Sequence, residues 1–213
     1  MGYDRWDDLK NLDVGSGSCI QDYAFLYGIT QLISPKIIVE IGTNFGVSSI
    51  AMALAMIESD APTGHIYTFD LVDHSEIVIK QFEKMGVQNV ITYFPGKTSN
   101  NIKDLKLNHI DMCFIDGDHT YEGALKDYNN LKHLCDYMVF HDIHCNSESR
   151  RQFHDIPKHK VSITNRPGGH VWYESKLDRQ VTDASFGGFG ICKGEYKKSK
   201  RVIGISKKEN KNE

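Results

Sequence analysis

The feature that most constrains this chain is a rhythm. Five short, largely β-branched apolar runs recur along it: "KIIVEI" (36–41), "HIYTFD" (65–70), "NVITYF" (89–94), "HIDMCFID" (109–116) and "DYMVFHD" (136–142). Continuous apolar runs of this length mark strands buried on both faces. Segments of helical character separate them: "VSSIAMALAMIES", "SEIVIKQFEKMG" ending at Gly86, "NIKDL" and "TYEGALKDYNNLKHL". A further helix precedes the first strand in "CIQDYAFLYGITQLIS", with Ile20, Tyr23, Ala24, Tyr27 and Gln31 at helical spacing and Pro35 closing it. Strand–helix–strand repetition requires crossover connections and hence parallel pairing. The expected fold class is α/β, a mostly parallel sheet with helices on both faces.

Beyond Asp142 the rhythm fails. "HCNSESRRQFHDIPKHKVSITNRPGG" is long and polar and is expected to be an irregular loop covering a ligand. "HVWYES" and "FGGFGICKG" read as two late strands paired antiparallel at one edge, which makes seven in all. The basic tail holds "RVIGIS", which can add a short edge strand, and its end is expected to be disordered. The expected division is a polar N-terminal extension over 1–16, a single domain over 17–196 and a basic tail over 197–213.

At 213 residues, one domain with a full core suffices. A formal charge of -3 gives no general attraction to nucleic acid or anionic membrane. No apolar run approaches the roughly 20 residues of a membrane span. Five scattered cysteines without a CxxC pair predict a reducing, cytoplasmic setting with no disulfide framework, Cys113 being a small core residue.

Open parallel sheets bind ligands beyond the carboxyl ends of their strands, where strand order reverses. The positions that matter are therefore Glu40, Asp70, the loop at Gly96, Asp116 and Asp142. The first strand runs into "VEIGTNFGVSS", whose Gly42 and Gly46 permit a tight turn and close approach of backbone amides to a ligand. The spacing is G-x-x-x-G, not the G-x-G-x-x-G of dinucleotide sites. Glu40 sets a carboxylate where a pyrophosphate needs positive charge, which disfavours NAD or FAD and suits a ligand bearing an ammonium or sulfonium. Asp70, ending the second strand, can accept both hydroxyls of a ribose.

These residues resemble the class I S-adenosylmethionine-dependent methyltransferases. "VEIGTNFGVSSIAMALA" is similar to their first motif, and "TFD" to their acidic ribose position. "FIDGDHTYEGALKDY" followed by "DYMVFHD" resembles more narrowly the small bacterial enzymes grouped with catechol-type and macrolide-sugar O-methyltransferases. The resemblance implies a Rossmann-like, doubly wound, seven-stranded sheet with an antiparallel edge, and S-adenosyl-L-methionine as cofactor. By it, Gly42, Thr43, Asn44, Gly46 and Ser48 wrap the methionine part, Glu40 supports the ammonium side of the turn, and Asp70 holds the ribose. Gly96, Lys97, Thr98 and Ser99 fall at the adenine, and Asp118 lies beside the adenine or sulfonium. The implied partner is a small-molecule acceptor methylated on a hydroxyl oxygen, with no nucleic acid and no membrane; a homodimer is compatible with this.

For catalysis the resemblance implies Asp116 and Asp142 as ligands of a divalent ion such as Mg²⁺, and His119 as a base. The family's third ligand would follow Asp142, where this chain has Ile143; His141, His144 or Asn146 are candidates to complete a site. The alternative is metal-free, with His119 held by Asp142 in a His–Asp pair. "HDIHC" (141–145), with His154 and His159, also invites a zinc reading, weighed against a chance cluster among ten histidines. Tyr121 either lines the acceptor pocket or packs on the sheet. Trp172 and Tyr173 either stack on the acceptor or fill the core, and Arg150 and Arg151 either attract an anionic acceptor or lie on a solvated helix face. Two rival functions stand beside methyl transfer: a nucleotide-binding oxidoreductase on the same architecture, and a non-catalytic cofactor-binding module.

Overall fold

Five apolar runs pair as their composition dictates. In the computed structural model, which describes residues 3–12, 20–59, 64–143, 147–156, 160–163 and 188–196, they form β1 (Ile37–Ile41), β2 (His65–Asp70), β3 (Ile91–Pro95), β4 (Ile110–Ile115) and β5 (Cys135–Phe140). All pair in parallel. Two further strands, β6 (Lys160–Ile163) and β7 (Phe189–Lys193), close one side, β7 lying antiparallel to both β5 and β6. The order across the seven-stranded sheet is β3-β2-β1-β4-β5-β7-β6. It is the mostly parallel Rossmann-like sheet with an antiparallel edge that the strand–helix rhythm and the resemblance imply.

Among the described residues six α-helices accompany it: α1 (Tyr3–Lys10), α2 (Ile20–Ile33), α3 (Val47–Ile57), α4 (Ser75–Met85), α5 (Tyr121–Leu131) and α6 (Ser147–Asp155). Alternation along β1 splits the core. Ile38 joins Ile50, Met52, Leu54 and Met112 on one face, while Val39 and Ile41 join Cys113, Ile115, Tyr128 and Leu131 on the other. Helix α3 is buried at every position from Ser49 to Met56, because α2 covers the side that the sheet leaves. That explains its apolar circumference in sequence. Gly86 ends α4 in the left-handed conformation, its amide bonded back to Glu83 O.

Four expectations are corrected. "NIKDL" belongs to a 3₁₀ helix over Ser99–Leu105, started by a reciprocal cap between Thr98 and Asn101. The polar stretch after Asp142 is not wholly irregular: it contains α6, which buries Ser149, Gln152 and Phe153, and then β6. Because that inward stripe is mostly polar, it carries no apolar periodicity. The inward face of α2 is Asp22, Tyr23, Leu26 and Thr30, whereas Ala24 is exposed and Tyr27 and Gln31 only half-buried. Finally, Cys113 and Cys135 are joined by a disulfide, against the expectation of unpaired thiols. They are 22 residues apart in sequence, but adjacent strands bring them together, which spacing alone does not reveal.

The extension over 1–16 contains α1, with Leu9 buried and Leu12 nearly so in the core. "HVWYES", Trp172, Tyr173, "RVIGIS" and the rest of the tail lie outside the described residues, as do His144, Cys145, Asn146 and His159. Among the described residues no helix is long and apolar enough to cross a membrane.

Candidate active site

Strand order reverses between β1 and β4, so the loops leaving their carboxyl ends diverge and open a crevice. A cavity of about 570 Å³ occupies it, within the roughly 300–1,000 Å³ of small-molecule sites.

One half of the cavity is built by backbone. Gly42 has φ +98°, and a Cβ there would lie 2.1 Å from the carbonyl oxygen of Asp116. The turn after β1 thus crosses the end of β4 too closely for any side chain. Gly46, with φ +85°, starts α3 where a Cβ would press on the Phe82 ring. Between them the Asn44 amide donates to Asp70 Oδ2 (2.6 Å) and the Val72 amide to Asp70 Oδ1 (2.8 Å). The Asp70 carboxylate is thereby locked at the rim of the cavity. Thr43 Oγ1 donates to Thr68 Oγ1 at 2.6 Å beneath the turn, the Thr68 proton being given to Glu40.

Gly42, Thr43, Asn44, Ser48, Asp70, Thr98, Asp116, Asp118, His119 and Asp142 all line this one cavity. Glu40, Gly46, Gly96 and Ser99 do not. Glu40 is wholly buried and accepts hydrogen bonds from Ser48 Oγ (2.5 Å), Thr68 Oγ1 (2.6 Å) and Ser49 Oγ. It braces the start of α3 against β1 and β2 instead of meeting a ligand. Burial pushes its carboxyl up to about 7, and the three hydroxyls pull the other way. Ser99 is likewise buried, donating to Asp127 Oδ1 (2.5 Å) and accepting from Asn130 Nδ2 (2.8 Å). Gly96 has φ +67° and forms the bend after β3.

The other half is built by charged side chains. Asp116 follows β4, and Asp142 follows β5 with a left-handed backbone, φ +57°, a conformation costing on the order of 1 kcal/mol outside glycine. His119 Nδ1 lies 3.1 Å from Asp142 Oδ2, while its Nε2 is 3.7 Å from Asp116 Oδ1. The hydrogen bond to Asp142 raises the His119 pKa and burial opposes it, the balance lying above the ordinary histidine value. Asp118 receives the Thr120 amide (2.9 Å).

Two residues enter that periodicity did not assign. His141, 7% exposed, places Nδ1 3.1 Å from Asp116 Oδ1 and 3.3 Å from Asp142 Oδ1, and Nε2 3.3 Å from Asp22 Oδ1. Burial pulls its pKa down, but Asp116, Asp22 and Asp142 outweigh it, and the group stands well above the usual histidine. Asp22, from α2, is 2% exposed. An Asp on the inward stripe of an otherwise apolar helix is the signal that could have found it. Beside it Tyr23 lines the cavity. Tyr121 does not line it: its hydroxyl donates to Asp155 Oδ2 (3.1 Å) and the Arg151 guanidinium covers its ring at 4.4 Å, tying α5 to α6.

The comparisons agree with this geometry. Residues 39–143 match a family model described as a methyltransferase domain. The fold is shared with a cofactor-bound protein, Rv0187 from MTB (18% identity, TM-score 0.66, covering 91% of this chain and 88% of that one). It is also shared with the O-methyltransferase TomG from Streptomyces achromogenes in complex with SAM (19%, 0.62, 89% and 85%). The O-methyltransferase from Bacillus cereus in complex with SAH shares it as well (16%, 0.66, 91% and 92%). No curated protein matches the sequence. Sheet order, glycine turn and acidic strand ends define a nucleotide-type ligand site at a topological switch point. With the methyltransferase-domain match over residues 39–143, they support a class I S-adenosylmethionine-dependent methyltransferase.

Proposed function

We propose that the chain methylates a hydroxyl oxygen of a small molecule, with His119 as the base. The observation that carries this is the His119–Asp142 pair at the cavity. His119 Nδ1–H donates to Asp142 Oδ2 at 3.1 Å, which leaves Nε2 to accept a proton. The side chain is 38% exposed, so an incoming hydroxyl can reach it. The hydrogen bond to Asp142 raises the His119 pKa above the ordinary histidine value and so makes it a stronger acceptor for the proton.

S-Adenosylmethionine, when bound, supplies a methyl group on a positively charged sulfur. The cavity fits such a ligand: the glycine turn lies so close to the end of β4 that any Cβ at Gly42 would strike the Asp116 carbonyl, Asp70 stands at the rim for a diol, and the Asp116–Asp142 side offers negative charge to a sulfonium. Holding hydroxyl and methyl donor in one crevice supplies much of the rate, since orientation alone is worth up to roughly 7–11 kcal/mol. The acceptor proton goes to His119 Nε2.

A divalent ion also fits the donor set, because Asp116, His119 and Asp142 can each bring one ligand atom within 4.8 Å of the others. Asp116 and Asp142 would hold it, and it would lower the pKa of the acceptor hydroxyl. The O-methyltransferase names of two neighbours support oxygen as the methylated atom. The net charge of -3 favours a small acceptor over nucleic acid.

Calorimetry with S-adenosylhomocysteine, followed by turnover on a panel of phenols, sugars and amines, tests the reading. Micromolar binding and methylation of a phenol or sugar hydroxyl are the expected results. Binding of NAD but not S-adenosylhomocysteine would instead favour an oxidoreductase, and methylation of amines alone would remove the oxygen assignment.

A further inference from the structure

We propose that Asp127 is the residue that selects the base of the methyl donor. One of its carboxylate oxygens accepts the exocyclic N–H of adenine, while Ser99 and Asn130 hold the other from behind. The inference rests on the methyltransferase reading for the ligand, and on side-chain geometry for the assignment.

Asp127 is 6% exposed, yet it lines the cavity. Gly123 and Lys126, four and one residues before it on α5, line the cavity with it. The loop after β3 ties this end of the cavity to Asp70, because the Lys97 amide donates to the Asp70 carbonyl (3.0 Å). Two residues on, Ser99 meets Asp127. A ligand with its diol at Asp70 and its sulfonium on the Asp116–Asp142 side has its base directed to this end. Ser99 itself is wholly buried and does not line the cavity, and the Thr98 hydroxyl accepts the Asn100 amide as a helix cap. The base-reading role that the resemblance gave to that loop therefore passes to α5.

A buried acid is costly unless an N–H or a cation faces it. Burial pushes the Asp127 pKa up and the Ser99 hydroxyl pulls it down, with Asp118 adding to the first and Lys126 to the second. Asn130 Nδ2 donates to Ser99 Oγ (2.8 Å), so the serine proton goes to Asp127 Oδ1 (2.5 Å). Among the described residues, no hydrogen bond or ion pair reaches Oδ2. One acceptor is thus left for a ligand. Adenine offers a single matching N–H group at position 6. A 6-oxo base would set its carbonyl oxygen against the carboxylate, and the adjacent N–H groups of guanine would require both oxygens.

The test is calorimetry on the full chain with ligands that differ at position 6 of the purine. They are S-adenosylhomocysteine, its inosine counterpart with an oxo group, and its purine-riboside counterpart with hydrogen. The unaltered chain is expected to bind the first roughly 10–100-fold more tightly than either of the others. Asp127→Asn should turn that order round. Its Oδ1 still takes the Ser99 proton, so its Nδ2–H faces the ligand, where it opposes an amine and suits an oxo group. The inosine compound should gain, and the adenosine compound lose, by about tenfold or more each. Asp127→Ala should bind the adenosine and purine-riboside compounds alike, which decides the matter if Asp127→Asn does not fold. Equal affinities in the unaltered chain, or a preference for the amine that survives both substitutions, overturns the proposal. Repeating the series with adenosine, inosine and purine riboside separates it from the functional reading. Selection among these nucleosides without binding of S-adenosylhomocysteine would support Asp127 and count against methyl transfer alone. No binding of any adenosine compound overturns the proposal.

Discussion

The two halves of the cavity are made from different materials. On the β1–β2 side, shape comes from backbone: a glycine turn with no room for a Cβ and a carboxylate pinned by two amides. On the β4–β5 side it comes from five titratable side chains, Asp22, Asp116, His119, His141 and Asp142, within hydrogen-bond or ion-pair reach of one another. A backbone-built half tolerates no change of size at a few positions and is indifferent to charge elsewhere. A side-chain-built half tolerates small changes of size and no change of charge. The first suits a ligand that never varies, the second an acceptor and a chemistry that do.

That contrast can be broken by substitution. The largest effect is expected from His119→Ala, which should cut turnover by roughly 10²–10⁴-fold while cofactor affinity by calorimetry stays within about twofold. A matching loss of affinity would show the halves to be coupled. Gly42→Val should do the reverse. It adds a clash with the Asp116 carbonyl and a forbidden φ, so S-adenosylmethionine affinity should drop by about 100-fold or more. Asp70→Ala removes a fixed acceptor and should weaken cofactor binding by about 10–100-fold, with turnover at saturation little changed.

The smallest functional effect is expected from Glu40→Gln, which touches neither half directly. Its reach is stability. Glu40 is raised to about 7 in the folded chain and is near 4.3 when unfolded. A raised carboxyl stabilises the fold while protonated, fully below the unfolded value, and that contribution is lost as pH rises toward 7. The unaltered chain should therefore lose on the order of 3 kcal/mol relative to Glu40→Gln across that window, read by denaturant titration at several pH values. A pH-independent difference would show that the hydroxyls of Ser48, Ser49 and Thr68 keep the carboxylate ionised.

The backbone half was the more legible in sequence. Glycine at 42 and 46 and the acid at Asp70 announce themselves because only those residue types serve there. The parallel sheet followed from runs such as "KIIVEI", which have no polar face to show water. Glu40 was misjudged because a strand-end carboxylate looks the same whether it faces a ligand or a cluster of hydroxyls, and side-chain direction at a strand end is set by the pleat. Ser99 was misjudged for the same reason, its partner Asp127 lying 28 residues on. The charged half was legible at its strand ends, Asp116, His119 and Asp142, with His141 among the candidates beside them. The contact of Asp22 with His141 joins residues far apart in the chain and leaves no periodic trace. Helix α6 was hidden because it turns Ser149 and Gln152 inward, where apolar residues are the usual signal.

The span that matches the methyltransferase family begins at residue 39, yet Asp22 and Tyr23 belong to the same working surface. The recognisable part of the molecule is thus smaller than its operating part. A chain shortened to the matched span would keep the glycine turn and Asp70 but lack α2, which carries Asp22 to His141. The matched span also holds Asp116, His119, His141 and Asp142, so of the charged half it lacks Asp22 alone. What the family match does not reach is the helix ahead of it, which brings Tyr23 to the cavity and Asp22 to His141.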